Sequence, residues 1–348
     1  IIAYAGIYLS SYIGSVVLNL TKSPISPIML SIIIGLFIGN IIKIPSLFSE
    51  GINFSLKFIL RLGIICLGIR LGLLDILKVG VIGIPLIIAC IIISILFVNY
   101  FCKLLKIPSK IGSLIAVGTS ICGASAIVAT SPAINADKEE VAYAIANITI
   151  FGIIAMFIYP FLAHYLFSGD ELSIGLFLGT SIHETAQVAG AGLIYSEQYS
   201  SSATMDIATV TKLVRNISMI VVIPFISYFY LKNSVDKKNT KPSIISMFPI
   251  FIIGFIIMGL IRTIGDYSIQ SYDQAFGIFL NDQWQSIIHY IKLLAEYSLA
   301  IAMAAVGLST NLVSLRSLGI RPFYVGFSAA ASVGFVSYFG IIVLNYFI

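Results

Sequence analysis

Charged residues are scarce in this sequence, and several functional motifs are missing from it. Asp, Glu, Lys and Arg make up 10% of the 348 residues, whereas a soluble domain carries roughly 25%. The sequence has no Walker lysine motif, which argues against an ATP-driven pump. It also has no basic stripe with interleaved aromatic residues, so we expect no nucleic-acid partner.

Cysteine is equally uninformative as a sign of chemistry. The four cysteines lie far apart in apolar segments, at Cys66, Cys90, Cys102 and Cys122. Their spacing fits no metal site, and we interpret them as small buried hydrophobic residues. We therefore expect no bound metal and no cofactor, and we do not expect an enzyme.

Long apolar runs dominate what is present. Hydrophobic residues account for 59% of the chain, and the mean hydropathy is +1.04. Runs of about 20 apolar residues can cross a bilayer as helices. We predict an all-α polytopic membrane protein of about 10–11 transmembrane helices, with one integral-membrane domain over residues 1–348 and repeat halves at about 1–167 and 172–348. The predicted segments are approximately 1–20, 27–42, 54–74, 79–102, 111–135, 139–167, 172–195, 203–231, 243–264, 286–311 and 321–347.

Lys and Arg are distributed unevenly over the joints between these segments. Cytoplasmic loops collect basic residues, so the richer side predicts the cytoplasm. That side holds Lys43, Lys57, Arg61, Lys103, Lys106, Lys110, Lys232, Lys237, Lys238, Lys241, Arg316 and Arg321. The other side holds Lys22, Lys78, Lys138, Arg262 and Arg70. We predict a cytoplasmic N-terminus and an external C-terminus.

A weak internal similarity relates residues 68–80 to residues 307–319. Each follows a span rich in Gly or Ala and precedes another span. The two preceding spans are the third and the tenth, so they run in opposite directions, as an inverted-topology repeat requires.

The phrase Gly-Thr-Ser-Ile interrupts two apolar segments, at residues 118–121 and 179–182. Irregular backbone at membrane depth survives only where protein or a water-filled cavity satisfies it. Paired broken segments therefore indicate the binding site of a transporter. Their glycines permit either a full crossing or a re-entrant hairpin.

The first break is rich in small residues. One interpretation is a close helix crossing. The other is an unwound stretch whose amides, at the start of a half-helix from about 124 to 133, face an anion. The hydroxyls of Thr119, Ser120 and Ser125 would add hydrogen bonds there.

The second break is more polar, because His183, Glu184 and Gln187 stand between apolar flanks. On a helix these three side chains can face one cavity. They form either a buried polar cluster that joins helices or a site where Glu184 or His183 exchanges a coupling proton, beside Thr180 and Ser181. A zinc-protease motif is rejected, because Gln187 stands where the second His belongs.

Two basic residues, Lys212 and Arg215, lie a turn or two inside the following apolar span. They either extend toward lipid headgroups or bind an anionic substrate, for which Arg offers a bidentate fork. Glu296 is a further intramembrane carboxylate and is either a coupling residue or a pairing residue. Arg61 and Arg70 are interpreted as extending toward the two interfaces, and Arg70 is the better site candidate of the two. Asn147 and Thr149 are interpreted as bonds between helices.

Three phrases give the chain a recognisable family character: Leu60 to Leu71, Gly118 to Ala126 and Gly179 to Ala191. Together they resemble the YeiH-type sulfate exporter family of bacterial inner-membrane proteins, over nearly the whole chain. Lys212-Leu-Val-Arg215 also matches the family's Lys-Leu-x-Arg pattern. Family members commonly have Asp where this chain has Glu184. The resemblance implies a secondary carrier related to inverted-repeat transporters such as the bile-acid and sodium–proton antiporter groups.

We therefore expect a secondary transporter of a small anion, such as sulfate or an organic sulfonate, coupled to protons. Thr119, Ser120, Ser125, Thr180, Ser181, Gln187, Lys212 and Arg215 would bind the substrate, and His183, Glu184 and Glu296 would carry coupling. Two alternatives remain open: a proton- or sodium-coupled cation antiporter, and a membrane scaffold that transports nothing. The sequence leaves homo-oligomerisation open.

Overall fold

The computed structural model describes residues 1–17, 27–42, 44–132, 134–232, 250–310 and 320–347. Six of the basic residues used to assign the two sides, among them Lys22 and Lys43, lie outside these ranges, as do residues 311–319 of the second repeat segment. The described chain is almost entirely helical, and its one sheet is a two-stranded antiparallel hairpin.

The α-helices of the described residues, in chain order, differ widely in length. They are α1 (Ile2–Tyr12), α2 (Pro27–Ile41), α3 (Ser49–Phe54), α4 (Leu60–Leu67), α5 (Leu73–Leu104), α6 (Ser109–Ser120), α7 (Ala124–Thr130), α8 (Lys138–Leu166), α9 (Glu171–Ser181), α10 (Thr185–Tyr199), α11 (Ser202–Ile217), α12 (Met219–Lys232), α13 (Phe251–Tyr272), α14 (Asn281–Ser309) and α15 (Ile320–Phe347). Strands β1 (Gln274–Ala275) and β2 (Phe279–Leu280) lie between α13 and α14.

Seven stretches of the described residues are long and apolar enough to cross a membrane. They are Ser46–Arg70, Leu73–Leu104, Lys138–Leu166, Ser202–Ile226, Phe251–Tyr272, Asn281–Ser309 and Phe323–Phe347. This confirms the all-α polytopic membrane fold. The two segments with a central Gly-Thr-Ser-Ile are each divided into two shorter helices, α6 with α7 and α9 with α10.

The chain forms two compact units that interleave along the sequence. Unit 1 comprises Ile1–Gly80, Leu193–Ser202 and Ile250–Asn311, and unit 2 comprises Val81–Gly192, Ala203–Pro249 and Leu312–Ile348. Both broken segments belong to unit 2, apart from the last residues of α10.

Unit 1 is held together by a close crossing of α2 and α14. A Cβ on Gly307 would lie 2.3 Å from the carbonyl oxygen of Ile32, so only glycine lets the two backbones approach this far. Near the same crossing, Asn40 Nδ2 donates to the carbonyl of Thr310 at 2.7 Å. A partly buried side-chain amide on α2 thus donates to the carbonyl at the end of α14.

Unit 2 is built around α8, whose start is fixed by a capping box. Asp137 accepts from the backbone of the first turn, and the Asp137 N–H donates to Glu140 Oε2 at 2.8 Å. This reciprocal pair satisfies N–H groups that the first turn leaves free. Helix α15 packs beside α8 and α9, where Thr180 and Ser337 hydroxyls lie 2.7 Å apart.

Candidate functional site

The first broken segment is a re-entrant hairpin. Lys110 Nζ, at the start of α6, donates to the carbonyl of Asn135, beyond the end of α7, at 2.7 Å. Within the hairpin, a Cβ on Gly118 would lie 2.8 Å from Cδ1 of Ile127. Helix α7 therefore folds back along α6, and residues 121–123 form the tip of hairpin 1.

The second broken segment has the same form, which its contacts with α11 establish. Helix α9 runs parallel to α11, because a Cβ on Gly175 would lie 2.6 Å from Ile207 and a Cβ on Gly179 would lie 2.6 Å from Thr211. Both residue numbers increase together along the pair.

Helix α10 runs in the opposite direction along α11. A Cβ on Gly192 would lie 2.9 Å from Cγ of Met205, whereas Asn216 Nδ2 donates to Thr185 Oγ1 at 3.0 Å. One residue number falls as the other rises. Since α9 is parallel and α10 antiparallel to the same helix, α9 and α10 form hairpin 2, with residues 182–184 at its tip.

The two hairpins enter unit 2 from opposite ends of α8. Hairpin 1 precedes α8, and Lys110 Nζ lies 4.0 Å from Glu140 Oε2 in its first turn. Hairpin 2 follows α8, and Asp170 Oδ2 starts α9 by accepting from the Ser173 N–H at 2.8 Å. Lys138 therefore lies at the same end as Lys110, so its assignment to the opposite side was wrong; that assignment assumed a full crossing by residues 111–135.

Lys212 on α11 joins the two tips. Its Nζ donates to the carbonyls of Ile121 and Ile182 at 2.9 Å each, and to the carbonyl of His183. The side chain is 0% exposed. The last carbonyls of a helix have no intrahelical partner and carry partial negative charge. Lys212 thus satisfies the ends of α6 and α9 with one ammonium group.

Arg215 repeats this arrangement one turn later. Its Nε donates to the carbonyl of Ser120 at 2.9 Å, and its two Nη atoms donate to the carbonyls of Thr119 and Thr180. Arg215 is also 0% exposed.

The two cations use equivalent positions of the repeated phrase. Arg215 binds both threonine carbonyls of Gly-Thr-Ser-Ile, and Lys212 binds both isoleucine carbonyls. The sequence repeat therefore has a structural cause. Each copy forms the last turn of the first helix of a hairpin, α6 or α9, and its Thr and Ile carbonyls accept from the two cations of α11. Both of the proposed substrate-binding cations are occupied by main-chain carbonyls.

Glu184 connects the tips on their other face. Its Oε1 accepts from Thr149 Oγ1 of α8 at 3.1 Å. A Cβ on Gly123 would lie 2.4 Å from Cγ of Glu184, so the Glu184 side chain lies directly on the tip of hairpin 1. Glu184 is half-buried, whereas His183 is 1% exposed.

Gln187 fixes hairpin 2 to the middle of α8. Its Nε2 donates to the carbonyl of Thr149 at 3.0 Å, and its Oε1 accepts from the Glu184 N–H at 3.2 Å. A Cβ on Gly152 would lie 1.9 Å from this amide oxygen. Gly152 therefore makes the room that Gln187 occupies.

The predicted hydroxyl groups differ in what they bind. Ser120, Thr180 and Ser181 donate to carbonyls one turn back on their own helices. Thr119 Oγ1 and His183 Nδ1 are buried and have no hydrogen-bond partner among the described atoms. Ser125 is exposed on α7. The assignment of these residues to a substrate stays a prediction.

Glu296 belongs to unit 1. Its Oε1 lies 3.2 Å from Arg70 Nη1, with the Arg70 side chain 8% exposed and that of Glu296 46% exposed. These two residues, considered separately in the sequence, form an ion pair. The pairing gives Glu296 a structural partner, and its coupling role stays a prediction.

Thr149 and Asn216 are site residues that sequence reasoning missed. Thr149 was interpreted as bonding neighbouring helices, and this is confirmed: its hydroxyl donates to Glu184 and its carbonyl accepts from Gln187, both on hairpin 2. Its place beside Glu184 was not predicted. Asn216 binds the start of α10. The available signal was position: Asn216 shares a helix face with Lys212, at i and i+4.

The site carries more positive than negative charge. Lys212 and Arg215 are fully buried, and in the described part of the chain neither forms an ion pair with a carboxylate. Glu184 is the acidic side chain at the tips. Two helix C-termini offset part of this positive charge. The arrangement can therefore attract an anion and can change its own charge when Glu184 gains a proton.

Comparisons with known proteins assign the chain to a family. It matches the family described as "Conserved hypothetical protein 698" over residues 1–326. The chain belongs to this family. It is 34% identical over 309 residues to UPF0324 membrane protein FN0533 of Fusobacterium nucleatum, covering 88% of this chain and 87% of that protein. It is 33% identical over 330 residues to UPF0324 membrane protein SAG1125 of Streptococcus agalactiae, covering 95% and 92%.

A third relative, a UPF0324 membrane protein of Clostridium tetani, is 32% identical over 320 residues. No solved structure matches the chain. The YeiH-type resemblance is thereby confirmed at the level of the family, and so is the multi-pass membrane character.

Proposed function

We propose that this protein is a secondary transporter that moves a small anion, such as sulfate or an organic sulfonate, by alternating access around the two hairpin tips. The observation that carries the proposal is the meeting of two re-entrant hairpins, from opposite ends of α8, at a buried cluster with two cations. Non-helical backbone at membrane depth is tolerated where it lines a protein or water-filled cavity, and transporters place their binding sites at such breaks.

The arrangement of the hairpins supports alternating access. Hairpin 1 separates the tips from one end of unit 2, and hairpin 2 separates them from the other. Movement of one hairpin at a time would open the tips to one side only. The Lys212 and Arg215 side chains donate from α11 to main-chain carbonyls where both entering helices end, so α11 is the element to which both hairpins are anchored.

Charge supports an anion as substrate. The cluster at the tips contains two buried cations and one carboxylate, and a charge inside a low-dielectric interior is costly unless it is compensated. A second negative charge beside the tips would complete the compensation. A cation that bound beside the tips would increase the excess of positive charge there.

Coupling to protons follows from the one carboxylate. When Glu184 is ionised the side chains at the tips carry a net charge of +1, and when it is protonated they carry +2, counting Lys212, Arg215 and Glu184. Protonation therefore strengthens the attraction for an anion. His183, adjacent to Glu184 and bonded through its carbonyl to Lys212, is the second candidate for the coupling proton.

The basic end of unit 2 supports an orientation. Lys103, Lys106, Lys110 and Lys138 all lie at the end where hairpin 1 enters. By the positive-inside rule this end faces the cytoplasm. We propose a bacterial inner-membrane location in which hairpin 1 enters from the cytoplasm and hairpin 2 from outside, with the N-terminus cytoplasmic and the C-terminus outside.

Transport into liposomes tests the proposal. Purified protein would be reconstituted, and uptake of radiolabelled sulfate and of a panel of sulfonates would be followed under an imposed pH gradient. We expect uptake that needs the gradient and is lost in Glu184→Gln. Glu139→Gln, an exposed carboxylate at the start of α8, is the matched control and should retain uptake.

Two other outcomes would contradict the proposal. A pH-gradient response to added sodium or potassium, without anion flux, would indicate the cation antiporter. Absence of any flux, with Glu184→Gln harming only the yield of folded protein, would indicate a scaffold.

A further inference from the structure

We propose that the ionised Glu184 side chain occupies the substrate site: its carboxylate accepts from the Thr149 hydroxyl, and a substrate oxyanion binds this same donor once Glu184 is protonated. This inference rests on the proposed function and assigns the Thr149 hydroxyl to that site as a donor. It also gives a physical link between proton binding and anion binding.

The contacts of Glu184 are those of an anion in its site. Thr149 Oγ1 donates to Oε1 at 3.1 Å. A hydroxyl donor of this kind binds carboxylate, sulfate and sulfonate oxygens alike. It does not distinguish a tethered carboxylate from a free oxyanion.

Gly123 leaves the space that this contact needs. Its φ of +70° is rarely adopted by other residues, and any Cβ there would meet the Glu184 side chain at 2.4 Å. The tip of hairpin 1 is thus shaped around an occupant that comes from hairpin 2. When the Glu184 side chain moves away, the Thr149 hydroxyl and the backbone of the hairpin 1 tip line the space that it leaves.

Glu184 is also the charged group at the tips that is partly exposed. Lys212, Arg215 and His183 are 0–1% exposed, whereas Glu184 is half-buried. Glu184 is therefore the charged group at the tips with room to move, whereas the two cations are held on their carbonyls. The positive field stays fixed, and the negative group is the one that can leave.

If the ionised Glu184 carboxylate and the substrate anion cannot occupy the site together, the sign of the coupling between proton binding and anion binding follows. The ionised carboxylate and the substrate compete for the same donor, so an anion binds when Glu184 carries a proton. One proton is then taken up for each anion bound, and by linkage the affinity for the anion rises about tenfold for each pH unit of acidification while Glu184 is ionised in the free protein. Proton and anion travel together.

Other titratable and charged groups face Glu184, and the test must separate them. They are Cys122 on hairpin 1, His183 on hairpin 2 and Lys212 on α11; Arg215 lies one turn further along α11. On α8 the facing group is Thr149, which does not titrate in this range. Glu184→Gln retains all of these groups and removes only the competing carboxylate.

The pH dependence of sulfate affinity can be measured by direct binding to purified protein in detergent. Radiolabelled sulfate would be titrated at several pH values onto the native chain, Glu184→Gln and two further variants. We expect the native affinity to fall about tenfold per pH unit on the alkaline side, and Glu184→Gln to bind sulfate with an affinity independent of pH. At the most alkaline pH the variant should bind at least about tenfold more tightly than the native chain.

Thr149 variants in the Glu184→Gln background test the shared donor. Thr149→Val keeps the shape and removes the hydroxyl, so sulfate affinity should fall about tenfold, the effect of one hydrogen bond to a charged group. Thr149→Ser keeps the hydroxyl and should restore affinity to within about threefold of its parent.

The outcomes separate this inference from the proposed function. Native protein that transports and binds sulfate with no pH dependence, or folded Glu184→Gln that fails to bind while the native chain binds, would overturn the tethered carboxylate and leave the transporter standing. If no anion is carried by the native chain and none is bound by Glu184→Gln, the proposed function fails and the inference with it.

Discussion

Hairpin 1 and hairpin 2 share a phrase and a partner but differ at their tips. After the common Gly-Thr-Ser-Ile, hairpin 1 continues Cys122-Gly123-Ala124, and hairpin 2 continues His183-Glu184-Thr185. Gly123 and Glu184 occupy equivalent positions, and they contact each other. One tip offers backbone and space, and the other offers the ionisable side chain that fills it.

This difference separates framework from chemistry. The entering helix of each hairpin ends with the same carbonyls bound to the same cations, so the repeated phrase is the framework. The three residues after it are free to diverge because α11, not the tip itself, satisfies the helix ends.

Replacing Arg215 by Ala should damage both hairpins together. Three carbonyls lose their donor, and each unsatisfied buried polar group costs about 1–3 kcal/mol. We expect the free energy of unfolding to fall by about 3 kcal/mol or more, with a comparable effect for Lys212→Ala. Thermal unfolding in detergent measures it. Arg215→Lys, which keeps the charge but not the planar fork, should fall between. A fully stable Arg215→Ala variant would refute the joint role.

Replacing Gly123 by Ala should destabilise the contact between the tip of hairpin 1 and the Glu184 side chain. The positive φ costs about 1–3 kcal/mol for a residue with a side chain, and the new Cβ meets Glu184. Unfolding of the single variant and of Gly123→Ala with Glu184→Ala separates the two causes. The double variant should recover the steric part only. An equal loss with and without Glu184 would show that the tips do not touch.

Replacing Gly152 by Ala should release hairpin 2 from α8. The added methyl group displaces the Gln187 amide, and overpacking of this kind costs about 1–3 kcal/mol. Since both residues act through one contact, Gln187→Ala should add little in the Gly152→Ala background. Additive losses in this double-mutant cycle would contradict the contact.

The two equivalent threonines should respond differently to Val. Thr180 Oγ1 is hydrogen-bonded to the carbonyl of Leu176 and to Ser337 Oγ, both at 2.7 Å, so Thr180→Val should cost about 1 kcal/mol. Thr119 Oγ1 is buried without a partner among the described atoms, so Thr119→Val should be neutral or slightly stabilising in unfolding measurements. Equal losses at the two positions would show that Thr119 is also bonded.

The sequence predicted the class of fold and the location of the breaks. Apolar runs and a low charge content indicated an all-α polytopic membrane protein, and the paired Gly-Thr-Ser-Ile phrases marked the two places where helices end. These features depend on local composition and on the cost of exposing backbone to lipid. Local information was sufficient for them.

The direction of each chain segment after its break needed the structure. A glycine-rich break permits a hairpin and a crossing equally, and the choice depends on distant partners, such as Asn135 for Lys110. The same limit applied to Lys212 and Arg215. A buried cation in the sequence suggests a substrate, but the structure shows carbonyls 29 to 96 residues away as the partners of these cations.

Sidedness of three engineered cysteines tests the central claim most directly. In a chain with the four native cysteines replaced, Ser109→Cys, Lys138→Cys and Ser168→Cys each place one exposed thiol before hairpin 1, after hairpin 1 and after α8. A membrane-impermeant maleimide would be applied to right-side-out and inverted vesicles. Two opposed hairpins predict that positions 109 and 138 are labelled from one side and position 168 from the other. Labelling of 109 and 138 from opposite sides would mean that the first broken segment crosses the membrane, and would contradict the tip-to-tip site.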